Sequence, residues 1–453
     1  MVRILIPSGA LGLNYDKEAL RRGIEAKPDI IAIDGGSTDS GPSYLGRGRS
    51  KYARSSTKVE WAGLMQARAE AGCPLVIGTA GTCGTDSAVD WMLDITLEIA
   101  AEQGRPLKIA VLRSSQDPVV IAQAYGDSIV TPLENAPDID AMRIQDCANI
   151  VALAGAEQIN KALETGADII IAGRTTDTAI IAALPLARGC HAGGAWHGAK
   201  IGECGALCAT NPQSGVILVD FDAEGFTVTP LADGAHATPH TVSAHMLYEN
   251  SDPFILFEPG GHLDVTHAQY TALDQTRVRV TGSEWVPSDR YTVKLEGARR
   301  VGYQSVLLTL LRDRHYVENV DAWCADILTK CRAKAETRLG LAPEAFDIEL
   351  RLIGKNATLG TLENRTAENV EIGVLGIVTA QTAQLVDEIG KTLNPYLLHH
   401  PLTEAEEQPT FAFPFSPAEI ERGEIFEFCL NHVMTLDDPM QAFRLDVQEV
   451  RFD

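Results

Sequence analysis

Carboxylates set among glycines and hydroxyls are the first residues in this chain that could do chemistry. Residues 34–41, DGGSTDSG, hold two acids, three hydroxyl side chains and three glycines, and follow the apolar run at 30–33 without a break. Glycine lets a backbone turn sharply and approach a ligand, while Ser and Thr both donate and accept hydrogen bonds. The pattern Thr-Asp-Ser/Thr recurs, starting at Thr38, Thr85 and Thr176. Carboxylates in such loops suit proton transfer, so Asp34, Asp86 and Asp177 are candidate acids and bases, joined by Glu203 and His262 from later in the chain. Ser37, Thr38, Thr79, Gly81, Thr82, Arg174 and Thr175 belong to the same loops and are candidate substrate contacts. Thr, Asp and Ser are also preferred helix caps, and for any one copy capping alone and ligand binding stand level.

Other clusters bear on the substrate. The run GRGRSKYARSSTK reads either as a solvated loop or as an entry for a carboxylate or a CoA phosphate, with Arg47 and Arg49 guiding a small anionic substrate or acyl-CoA. Lys294 shares a strand face with Glu296 and is a further candidate contact. His262 stands near Glu249, Glu258 and Asp264, and imidazole exchanges protons near neutral pH. Cys190, His191, His197, Cys204 and Cys208 are metal-capable, yet form no CxxC pair and match no common zinc spacing. A tightly packed small-residue helix there would direct Glu203 and Cys204 toward a crevice. Neither GxGxxG after a strand nor GxxxxGK[ST] occurs, so no nicotinamide or flavin is expected, whereas Mg²⁺ among the acids is compatible with the loops.

These residues need a scaffold. Short apolar runs at 3–6, 29–33, 74–77, 107–112 and 167–172 alternate with helical spacing at 16–26, 59–71, 88–102 and 158–165. That order predicts an α/β fold, a mostly parallel sheet flanked by helices. Loops leaving the carboxyl ends of such strands share one edge, where the three Thr-Asp loops would converge. From about residue 215 the runs lengthen and alternate, predicting a second α+β domain with mixed or antiparallel strands. The expected division is 1–210 and 211–453, with a loop at 399–417 leading to a last strand at 424–434.

The 453 residues exceed what one core usually supports, and a formal charge of -23 disfavours nucleic acid and anionic membrane. The amino-terminal apolar run is too brief for a signal peptide or a spanning helix. Nine scattered cysteines argue for reduced thiols and a cytoplasmic setting. Apolar strand faces and edges in the second half predict a homo- or hetero-oligomer.

DGGSTDSGPSYLG, IAGRTTDTA, AWHGAKIGECGA, LYENSDPF, FEPGGHLD and YTVKLEGARRVGYQ together resemble the acyclic terpene utilisation (AtuA-like) protein family over about residues 3–440. The resemblance implies a cytoplasmic protein of acyl-CoA or carboxylate catabolism. Founding members were associated with breaking a branched 3-hydroxyglutaryl-CoA derivative to acetate. With SGALG and DGGSTDSGPSYLG where the terpene-pathway members resemble GNxSGF and an acidic-aromatic stretch, the chain resembles a separate subgroup, often accompanied by a small companion protein. The expected function is that of a lyase or hydratase acting beside a carboxylate or CoA thioester. The alternative is a non-catalytic or half-site subunit active only with that companion.

Overall fold

The structure, a computed structural model, describes residues 1–451 apart from the side chain of Ser214. Its first strands carry apolar residues on both faces, because both faces are covered, with charged residues such as Arg3, Lys108 and Asp34 at or near their ends. In Val2–Ile6, Ile30–Asp34, Leu75–Gly78, Leu107–Arg113 and Ile169–Ala172, successive side chains point to opposite sides. Leu5, Ile31, Ile33, Leu75, Ile77, Ile109 and Ile171 pack with the helices Lys17–Glu25, Arg54–Ala71 and Asp86–Gln103. Ile4, Ile6, Ile30, Ala32, Val76, Ala110 and Ile170 pack with Ala156–Glu164, Ala179–Ala187 and Ala192–Gly202. Each such Ile or Leu contributes about 1.5–3 kcal/mol on burial, which fixes the register as well as the fold.

The five strands are parallel, as the sequence pattern predicts, and lie in the order Val2–Ile6, Ile30–Asp34, Leu75–Gly78, Ile169–Ala172, Leu107–Arg113. Antiparallel strands extend the sheet on both sides. Ile217–Phe221 pairs with Val2–Ile6 and is followed outward by Gly225–Pro230, Val278–Thr281 and Gln269–Ala272. Arg444–Val450 pairs with Leu107–Arg113 on the other side. This last strand is absent from the sequence reading, which ends at 424–434; the observed strand there is Glu419–Leu436. Its sequence RLDVQEV lacks a continuous apolar face, so only ladder pairing makes it a strand.

The chain forms two compact units that divide elsewhere than at 210. Unit one comprises residues 1–299 and the segment from Glu427 onward; unit two is Arg300–Phe426. The change of pattern near 215 is real but marks a change from parallel to antiparallel pairing inside one sheet, since Ile217–Phe221 continues the first sheet rather than starting a new core. Unit one also holds Cys147–Ala152, paired with Leu295–Arg299, and a small sheet of Ile255–Glu258, Gly261–Asp264 and Glu284–Pro287.

Unit two is an antiparallel sheet, Phe346–Ile353 against Ile372–Ala380 against residues 303–311, covered by the helices Val320–Leu339 and Ala383–His399. Its core is Leu307, Trp323, Ile327, Val374, Ile389 and Leu393 with their neighbours. No helix among the described residues is long and apolar enough to cross a membrane.

Candidate functional site

Parallel strands deliver their carboxyl-end loops to one edge, and three of those loops bind one another there. Gly35 N–H donates to Gly78 O at 2.8 Å, Thr82 N–H to Gly35 O at 3.1 Å, and Thr79 N–H to Gly173 O at 2.8 Å. The glycines serve this contact. A Cβ on Gly35 would sit 2.5 Å from Thr79 O, and one on Gly84, whose φ is +64°, would meet Arg174 N at 2.2 Å. Glycine in GTAGTCGTDS therefore lets loop approach loop, where the sequence alone suggested approach to a ligand. Thr79 and Thr82 adopt φ of 45° and 76°, a strained region for β-branched residues that the surrounding packing must impose.

Above these loops lies a cavity of 670 Å³ lined by Asp34, Ser37, Asp39, Lys51, Tyr52, Asp177, Glu203, Cys204, Tyr248 and Glu249, among others. Five carboxylates face it against one lysine. Asp34 is buried at the end of its strand; its Oδ2 accepts from Gly36 N–H at 3.1 Å, and its Oδ1 has no partner. Burial, then repulsion from Asp177, hold the Asp34 carboxyl well above the usual range, against the pull of Arg174. Asp177 is half-buried and open to the cavity; desolvation raises it too, and Arg174 opposes this.

Arg174 stands behind the lining. Glu296 grips it with two bonds, Nε to Oε2 at 3.0 Å and Nη2 to Oε1 at 3.1 Å, and Thr79 accepts from Nη1 at 3.2 Å. Asp177 Oδ1 is 3.6 Å from Nη1. Thr38 donates to Glu296 Oε2 at 3.2 Å, completing a buried network. Arg174 thus orients Asp177 and has its guanidinium taken up by protein acceptors, behind the wall of the cavity rather than in it.

The helix Ala192–Gly202 ends in Glu203 and Cys204. Its small residues allow close packing: a Cβ on Gly198 would lie 2.4 Å from the Phe221 ring. Lys200, almost wholly buried, reaches Glu203 Oε1 at 2.5 Å. Burial pushes Glu203 up to about 8, although Lys200 pulls the other way. His245, at the end of Pro239–His245, is buried with Nε2 unpartnered; burial lowers its pKa to about 4.

Other candidates lie elsewhere. Asp86 is outside the cavity lining: Thr85 caps the helix Asp86–Gln103, and Asp86 is held by Arg444 at 2.5 Å and by Ser115 N–H at 3.3 Å. For this copy of the echo, capping is the role the structure shows. Thr79 and Thr175 form the buried floor and Gly81 packs on Ala88, while Thr82 Oγ1 accepts from Lys51 N–H at 3.1 Å. Of the basic run, Lys51 alone lines the cavity; Arg47 and Arg49 are exposed and outside it. His262 and Lys294 line a second cavity of 630 Å³ with Glu258, Thr176, Phe257 and Leu153. There Thr178 donates to Glu258, whose Oε2 has no partner and which burial pushes up to about 7.

The five-residue Cys/His grouping at 190–208 does not assemble. His197 bonds Ser283 at 2.7 Å and Tyr270 at 3.2 Å in the core, His191 caps its helix, and Cys208 contacts Gly205 O. The sequence reading missed Lys200 and His245. A lysine three residues before a glutamate on a helix of small residues was the available signal for the first. For His245 there was none, because its partners arrive from a distant segment.

A family model described as acyclic terpene utilisation family protein AtuA matches residues 49–415. The matched span contains Asp177, Glu203 and His245 and begins after the loop that carries Asp34. No curated protein and no solved structure matches the chain.

Proposed function

The chain belongs to the acyclic terpene utilisation AtuA protein family, and from that premise we propose that it is a lyase or hydratase acting on a hydroxylated carboxylic acid or its CoA thioester. One observation carries this reading: Asp34 and Asp177 face one cavity from loops at the same sheet edge, both raised by burial, Asp34 also by repulsion from Asp177 and Asp177 by repulsion from Asp39. Two raised carboxylates facing one cavity do not both ionise readily, so that one can serve as an acid while the other is a base. In dehydration, the ionised carboxylate takes the proton beside the carbonyl and the protonated one delivers a proton to the leaving hydroxyl, which departs as water. In carbon–carbon cleavage, the base takes the proton of the β-hydroxyl, the bond breaks, and the resulting enolate is protonated by the acid. Ser37 and Tyr52 supply hydroxyls to orient an oxygenated substrate.

Purified protein incubated with hydroxy-acids and 3-hydroxyacyl-CoA thioesters, followed by mass spectrometry, tests the proposal. Loss of one water supports a hydratase, and two fragments whose masses sum to the substrate support a lyase. Turnover that persists in both Asp34→Asn and Asp177→Asn removes the pair from the chemistry.

A second reading, a half-site working with a companion chain, is favoured by the apolar side chains exposed in the cavity wall. Leu13, Leu207 and Tyr248 line it and are 60%, 45% and 41% exposed. Activity confined to a coexpressed complex would support that reading, and an active lone chain would end it.

A further inference from the structure

The wall of the first cavity brings together three donors of different chemistry. Glu203, Cys204 and His245 each present a ligand atom within 4.8 Å of the other two. Glu203 and Cys204 follow one another at the end of the helix Ala192–Gly202, and His245 closes the helix Pro239–His245. The imidazole is 5% exposed and its Nε2 is a buried ring nitrogen with no hydrogen-bond partner. Leaving such a group unpaired costs about 1–3 kcal/mol, a cost that a bound ligand would offset.

We propose that Glu203, Cys204 and His245 bind one divalent ion of the zinc class at the edge of the cavity. The donor set selects the metal. A thiolate and an imidazole suit Zn²⁺, whereas Mg²⁺ and Ca²⁺ take oxygen ligands. Tetrahedral bonds of about 2.0–2.3 Å put donors roughly 3.5 Å apart, so a modest contraction from the present spacing closes the site. Three protein ligands leave a fourth position, and since Glu203 and Cys204 both line the cavity, that position faces the substrate space.

The surroundings favour the same conclusion. Lys200 holds Oε1 of Glu203 at 2.5 Å, and the carboxylate has a second oxygen to give; a hydrogen-bonded outer partner of this kind fixes a metal ligand's orientation. Asp34, Asp39, Asp177 and Glu249 surround the cavity against Lys51, a field that concentrates cations. The ion would supply the positive charge that an anionic or carbonyl-bearing substrate lacks in this wall, now that Arg174 is committed to Glu296. It needs no acid–base role of Asp34 or Asp177.

The test measures metal rather than turnover. Full-length protein is purified without chelator and its metal content determined. It is then stripped and titrated calorimetrically with Zn²⁺ and with Mg²⁺, and loaded with Co²⁺ to read thiolate-to-cobalt absorption. The expected result is one equivalent of Zn²⁺ with no response to Mg²⁺. Affinity should fall at least ~100-fold in Cys204→Ser and His245→Ala, both checked for native circular dichroism, and Cys204→Ser should lack the thiolate absorption. Cys204→Ser is nearly isosteric and keeps the test open should His245→Ala misfold. Asp177→Asn should retain Zn²⁺ binding whatever its activity, which separates this site from the acid–base pair. Absence of Zn²⁺ binding at micromolar concentration, or wild-type affinity in both ligand variants, overturns the proposal.

Discussion

Unit one buries charge and unit two does not. Asp34, Glu60, Arg174, Lys200, Glu203, Glu258 and Glu296 are all buried in unit one, whereas the buried polar residues of unit two are Ser305, Thr309 and His400. Ion pairs in unit two, such as Lys330 with Asp326 at 2.7 Å, lie at the surface, where they are worth about 0–1 kcal/mol. Taking a carboxylate out of water is costly unless it is paired and hydrogen-bonded. Unit one carries that cost at one sheet edge, together with orphaned oxygens on Asp34 and Glu258 and strained Thr79 and Thr82. The contrast teaches where function is concentrated: a core built only for stability has the composition of unit two.

The strongest way to break this contrast is Asp177→Asn. If unit one holds the chemistry, kcat/KM should fall about 10²–10⁴-fold with circular dichroism unchanged. Leu393→Ala in unit two should leave kcat of the folded protein intact. Equal rates in wild type and Asp177→Asn would dissolve the distinction.

Arg174→Met is next in size. It leaves Asp177 without its cation and Glu296 with only Lys294 at 3.8 Å, and breaking a buried pair this way costs about 3–5 kcal/mol. Urea unfolding measures it; a loss below ~1 kcal/mol would mean that water reaches the cluster.

In unit two the expected losses follow volume alone. Leu393→Ala should cost about 2–5 kcal/mol, according to how far the core collapses into the space. A near-neutral result would show that the contact between its helices and sheet is loose.

The smallest expected effect is a pH slope that belongs to unit one. Glu258 has a folded value of about 7 against an ordinary 4.5, so between those values the unfolded chain has released a proton that the folded chain retains. The Glu258 contribution to stability therefore falls as pH rises from about 4.5 to about 7 and levels off above, while Glu203, pushed up to about 8, extends the fall to about 8. Glu258→Gln should lessen the slope in that window in a series of urea midpoints, leaving the part due to Asp34 and Glu203. An unchanged slope would place the carboxyl in solvent. Asp34 contributes in the same direction, from 3.8 upward.

The parallel sheet was legible because each of its strands is apolar on both faces, and only a doubly covered strand needs that pattern. Unit two was legible for the complementary reason: Phe346, Ile348 and Leu352 alternate with polar residues, as a sheet covered on one side requires. The division of the chain was not legible, since an antiparallel strand such as Ile217–Phe221 looks the same whether it extends an old sheet or opens a new one. Asp34, Asp177 and Glu203 could be proposed from their loops, but nothing local distinguished Asp177 from Asp86, which has the same Thr-Asp context and serves a helix end.

By itself the sequence determined the five parallel strands, the helices between them and at which end of the parallel sheet the Thr-Asp loops lie, but not the strand Arg444–Val450. Hydrophobic period and strand direction are local properties, summed over a few residues at a time. The tertiary structure alone decided that Arg174 is spent on Glu296, that His245 comes beside Glu203 and Cys204, and that His262 and Lys294 face a different cavity. Those outcomes depend on distances between residues far apart in the chain, and a carboxylate's chemistry is set by what reaches it in space.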